Sequence, residues 1–192
     1  MFTTSSSFVV ALDANVLFGY PLRDTLLLAV EYELYRAAWS DKVWDEVLRN
    51  LQDPRRKRPH SAADMRHLMT EIRSSFPDAF ITGYKPLEPA MLVNPKDQHV
   101  AAMAVRAGAQ VLVTYNLKHF PGAVLEPYGI EVQHPDAFLM NLFERTPTTM
   151  VDVVRDQAAR LQHPPKTPQA LVDDLEQTQR IKRFARAIRP HL

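Results

Sequence analysis

Phe8-Val-Val-Ala-Leu-Asp13-Ala-Asn15-Val-Leu17 is the stretch on which the fold class turns. The run from Phe8 to Leu12 is apolar, valine-rich and uncharged, which reads as a strand buried on both faces, as in a parallel sheet. It ends in a carboxylate, Asp13, followed two residues later by the carboxamide of Asn15. In open α/β sheets ligands sit beyond the carboxyl ends of the strands, so Asp13 stands where a site is expected. Asp and Asn also cap turns and helices well, and that role stays open for both at this point.

Outward from this strand, two further acids take comparable places. Glu46 falls within a helix that Ser40-Asp41 is expected to cap and that Val43, Trp44, Val47, Leu48 and Leu51 make apolar on one side. Asp97 falls in the first turn of a helix that Asn94 and Pro95 are expected to open and Gly108 to close. Residues 110–114 then read as a second buried strand, leaving through Tyr115-Asn116-Leu117-Lys118-His119. Strands alternating with helices imply right-handed crossovers and a parallel sheet, with Asp13 and Asn116 at one edge and Asp97 on the same rim. Taken singly, Glu46 reads equally as a solvent-facing residue, Asp97 as a helix-dipole partner and Asn116 as a turn residue.

The other expected elements are a helix over 26–38 after an Asp24-Thr25 cap, and a helix over 61–74 with Met65, Leu68, Met69 and Ile72 as its buried stripe. A short strand carrying Phe80 and Ile81, an edge strand over 130–132 and a helix over 135–143 follow. From Pro147 the pattern becomes purely helical, with helices over 148–161 and 168–188, the latter ending in Lys182, Arg183, Arg186 and Arg189. The expected organisation is therefore a domain over 1–146 and a helical extension over 147–192, which serves either as added core, as a substrate grip or as a docking surface.

Composition narrows the class. The 192 residues are 46% hydrophobic and 23% charged with a formal net charge of +1, so a nucleic-acid surface has to be a local patch. Pro54-Arg55-Arg56-Lys57-Arg58-Pro59 is such a patch, read either as a solvated loop or as a phosphate-contacting one. The absence of cysteine excludes disulfides, thiolate zinc sites and thiol nucleophiles. No apolar run approaches the 18 residues of a membrane span, and a soluble, cytoplasmic protein is expected.

The motifs around Asp13, Glu46, residues 97–104 and residues 111–120 together resemble, in order and spacing over about 8–143, the successive motifs of the PIN domain family, in the branch that includes VapC-type toxins. The resemblance implies an α/β/α sandwich with a mainly parallel central sheet and a metal-dependent ribonuclease that hydrolyses phosphodiesters using Mg²⁺ or Mn²⁺. It makes Asp13 and Asp97 metal ligands, Glu46 a ligand or the base that orients water, and Asn15 and Thr114 the groups that hold those carboxylates. Hard divalent ions take oxygen ligands, which agrees with this donor set. Asn116 and His119 depart from the family, which usually places an acid in this last motif. A carboxamide at Asn116 still ligates or holds water but carries no charge, and His119 reads as a phosphate contact, an acid or a loop residue. RNA contacts are expected from Arg55, Arg56, Lys57, Arg58 and Lys118. The partners implied are RNA, an antitoxin protein and a second copy of the chain. A PIN-like module that binds RNA or protein without cutting is the alternative. A haloacid-dehalogenase-like phosphatase also begins with strand-then-Asp, but it needs a second acid where this chain has Asn15.

Overall fold

The computed structural model describes residues 8–56, 59–162 and 164–192. In chain order these form β1 (Val9–Leu12), α1 (Ala14–Leu17), α2 (Tyr20–Glu31), β2 (Arg36–Ala38), α3 (Asp41–Leu51), α4 (Ala62–Ser75), α5 (Gln98–Arg106), β3 (Val111–Val113), α6 (Gly122–Leu125), β4 (Glu131–Gln133), α7 (Pro135–Arg145), α8 (Pro147–Arg160), α9 (Pro168–Gln179) and α10 (Lys182–Ile188). The strands make a four-stranded parallel sheet in the order β2-β1-β3-β4, a PIN-like α/β arrangement with a C-terminal helical region. The chain divides into two compact units, Val9–Phe18 with Ala37–Val132, and Gly19–Arg36 with Gln133–Leu192.

The first unit carries the sheet. β1 pairs with β3 in the register Val10 to Val111, Ala11 to Leu112 and Leu12 to Val113, and all six side chains are buried, as strands covered on both faces require. α3 begins where Ser40 Oγ accepts from Val43 N, and it buries Val43, Trp44, Val47 and Leu51. Trp39 is the hub of the aromatic core here, meeting Trp44, Phe76 and Phe80 edge to face at ring-centroid distances of 5.6, 5.8 and 5.8 Å. α4 is opened by a capping box between Ser61 and Asp64, and of its expected stripe Met65 and Ile72 are buried. Gly108 ends α5 in the left-handed region at φ 62°, where a residue with a side chain is strained.

The second unit is helical. Helix α8 packs against α2, α7 and α9, while α10 packs against α7 and α9. Its polar groups are matched to partners. Buried Gln157 donates to Pro21 O at 2.9 Å and accepts from Thr25 Oγ1 at 2.7 Å. Asp136, 8% exposed, accepts from the backbone N–H groups of Arg183 and Phe184, both at 3.0 Å, and so satisfies the opening turn of α10.

Five expectations are corrected by these elements. The helix expected over 26–38 starts earlier, at Tyr20, and stops at Glu31, because Glu33 turns the chain at φ 56° and 36–38 becomes strand β2. Asp24 and Thr25 therefore lie inside α2 rather than capping it, with the Thr25 hydroxyl 2.8 Å from Pro21 O. The single helix expected over 168–188 is two helices, broken where Arg180 takes φ 58°. Asn94 and Pro95 open a turn instead of α5, which begins only after Asp97. The strand expected around Phe80 reduces to a single bridge between Phe80 and Trp39.

Candidate active site

One step past the last β1–β3 pair, the register brings Asp13 beside Thr114. Thr114 Oγ1 donates to Asp13 Oδ2 at 2.7 Å, and Asn15 Nδ2 donates to the same oxygen at 2.6 Å and to Thr114 Oγ1 at 2.9 Å. Asn15 Oδ1 in turn accepts from Tyr115 N at 3.0 Å, and Thr114 Oγ1 accepts from Asn116 N at 3.0 Å. Two strand ends are thereby locked around one carboxylate. Asp13 is 7% exposed. Burial pushes its carboxyl above the usual range, the Thr114 hydrogen bond opposes that, and the charge of Glu46 and then of Asp97 pushes it further up.

Asp13, Asn15, Glu46, Asp97 and Asn116 line one cleft of about 480 Å³. Glu46 reaches it from α3, and Asp97 from the N-terminal end of α5, where its side chain makes no capping hydrogen bond. Two histidines stand behind these acids. His99 Nε2 is 3.0 Å from Glu46 Oε1, and His119 Nδ1 is 3.1 Å from Asp97 Oδ2, at ion-pair distance but without hydrogen-bond geometry.

The expected RNA-contacting residues are placed elsewhere. Arg55 forms an exposed ion pair with Asp53, which holds the Asp53 carboxyl down at about 2, and Arg56 Nη1 donates to Asn50 Oδ1 at 2.6 Å. Lys118 is exposed, and neither it nor Arg55 or Arg56 lines the acid cleft. Lys57 and Arg58 lie outside the described residues. The cleft instead carries Arg49, Asn50, Asp53 and Lys96, which were not singled out from the sequence. Helical spacing was the available signal for Arg49 and Asn50, which follow Glu46 by three and four residues on α3.

Against this geometry, residues 9–118 match the PIN domain family and residues 135–190 match the VapC50 C-terminal domain family. The chain belongs to the PIN domain family. Over 138 residues it is 38% identical to the "Putative ribonuclease VapC50" of Mycobacterium tuberculosis, an alignment that covers 71% of this chain and 79% of that protein. No solved structure matches the chain.

The donor set of this PIN domain suits a hard divalent ion. Its cleft offers four carboxylates and three carboxamides, and no sulfur. Asp13 is buried with like charges as neighbours, an arrangement that a cation relieves. Among the described residues no three Asp, Glu or His side chains are grouped tightly enough to grip an ion by themselves.

Proposed function

We propose that the protein is a metal-dependent endoribonuclease that hydrolyses RNA phosphodiester bonds and serves as the toxin of a toxin–antitoxin pair. The observation that carries this is the convergence of Asp13, Glu46 and Asp97 on one cleft from a strand end, a helix face and a helix start. The ribonuclease name of its relative and the matches to the PIN domain and VapC50 C-terminal domain families support it.

Asp13, Glu46 and Asp97 are the groups that would hold Mg²⁺ or Mn²⁺. When bound, the ion offsets the negative charge that builds on the phosphodiester and acidifies the attacking water. The chain's own residues do the rest. Thr114 and Asn15 fix Asp13, so the carboxylate stays in place when the cleft exchanges its ion. Glu46, about a third exposed, is placed to orient water for attack on phosphorus and to take its proton as the leaving oxygen departs. Asn116 lends a neutral carboxamide where an acid is usual in the family, and Arg49 and Lys96 offer positive charge to the flanking phosphates.

Cleavage of a mixed RNA pool with Mg²⁺, Mn²⁺ or EDTA, by wild type and Asp97→Asn in parallel, tests the proposal. Metal-dependent cutting that the variant lacks is the expected result. Cutting that persists unchanged in Asp97→Asn, or in EDTA, places the chemistry elsewhere. RNA bound but never cut, by folded wild type with metal present, indicates a non-catalytic PIN-like binding module.

A further inference from the structure

His99 is the polar group that the proposed chemistry leaves unused. It is 1% exposed, within a run on α5, His99–Ala104, whose side chains are all buried. A buried imidazole without a task is costly, because its nitrogens lose water as a partner. One nitrogen here has an explanation. Nε2 stands 3.0 Å from Glu46 Oε1, while Nδ1 is buried and has no partner. A carboxylate oxygen only accepts, so the proton of this pair belongs on Nε2. With its single proton there, the ring sets an N–H beside Glu46 and leaves only a lone pair at Nδ1.

Asp97 sits at the N-cap of α5, two residues before His99. A side chain of α5 therefore meets the acid contributed by α3, from the same short stretch of helix that Asp97 opens. Glu46 lines the cleft, and Oε2 is the oxygen that does not face His99.

The geometry points to His99 as a positioning residue that holds Glu46 through the 3.0 Å contact of Nε2 with Oε1, so that Glu46 and Asp97 address the same ion. This rests on the proposed metal-dependent function. It predicts that the donor at Nε2, and not the ring as such, is what matters. Glutamine offers a similarly placed N–H, whereas leucine fills the space without one.

Mn²⁺ binding to the RNA-free protein, measured by calorimetry on wild type, Asp13→Asn, His99→Gln and His99→Leu, provides the test. Loss of a group that orients a metal-binding carboxylate weakens binding by roughly 10–100-fold. His99→Leu is expected to show that loss, with a fall in kcat and little change in KM for RNA, and His99→Gln to recover most of the affinity. Tight binding that Asp13→Asn abolishes and His99→Leu keeps overturns the role of His99 alone. No Mn²⁺ binding by wild type overturns the metal-dependent function together with it. Should His99→Leu fail to fold, nitrogen-15 NMR of the imidazoles decides on metal-free wild type and Glu46→Gln. A proton on Nε2 whose shift responds to Glu46→Gln supports the tether, whereas a proton on Nδ1, or no response, removes it.

Discussion

Asp13 and Asp136 are both aspartates less than a tenth exposed, yet their surroundings differ in kind. Asp136 faces two backbone N–H groups at the start of α10, so its charge meets donors and the positive end of a helix. Asp13 accepts from Thr114 and Asn15 but also has Glu46 and Asp97 as charged neighbours, and its carboxyl is pushed upward. The helical unit uses buried polarity to close its own packing. The sheet unit keeps polarity that only a further component can balance. Stability and the proposed function thus rest on chemically similar residues in different units, and substitution separates them.

The largest effect is expected from the acids of the cleft. Asp97→Asn and Asp13→Asn should each lower RNA cleavage by about 100-fold or more, the scale of losing a preorganised electrostatic group. Neither should lower the melting temperature measured without metal. Because the Asp13 carboxyl titrates above its unfolded value, its ionised form is disfavoured in the folded protein as pH rises through that point, and the neutral amide removes the penalty. A clear drop in melting temperature for Asp13→Asn would erase the contrast with Asp136.

Asp136→Ala should do the reverse. Leaving two N–H groups of α10 without their acceptor costs about 2 kcal/mol, read as a melting shift of about 4–8 °C for a chain of this size. Mn²⁺ affinity of the folded protein should stay unchanged in the same sample.

A smaller effect concerns pH. His134 Nδ1 accepts from Asp136 N at 3.2 Å as the cap of α7, a role open only to the unprotonated nitrogen. Burial lowers its pKa from the ordinary 6.5, partly opposed by Asp136. A lowered folded value means that the stabilisation is complete above about pH 6.5 and is lost as pH falls through the folded value. Thermal melts between pH 7 and pH 5 should therefore decline in wild type and decline less in His134→Asn, since asparagine caps at any pH.

The smallest effect separates two kinds of arginine. Arg55 already spends its charge on Asp53, so Arg55→Gln should leave the salt dependence of RNA binding nearly unchanged. Arg49, in the cleft, should on substitution by glutamine reduce the salt slope by about 1, the value for one phosphate contact. Equal slopes for both variants would return the phosphate contacts to the loop.

The local chain carried much of this. The uncharged run before Asp13, the Ser40 cap and Gly108 each act within a few residues, and each element they mark is present. Where neighbours along the chain did not decide, local pattern misled. Residues 36–38 continue a helical period by composition, but pairing in a sheet draws them into β2 after the reversal at Glu33. Arg180 looks like an ordinary helix residue, and the break there goes with burial of Phe184 and Ile188 and with the Asp136 carboxylate waiting at the start of α10.

The site divides in the same way. Asp13, Glu46 and Asp97 were legible because an acid at the end of an apolar strand, or at a chosen point of a helix, is a one-dimensional signal. The pairing of His99 with Glu46 and of His119 with Asp97 was not, since each joins residues whose approach only the packed elements determine. Sequence by itself determined the order of strands and helices and the acids at their ends, because periodicity and capping are local. Tertiary structure alone decided which charges are balanced and which are left for a cation or a phosphate, because Coulomb interaction and burial depend on distances that the chain sets only when folded.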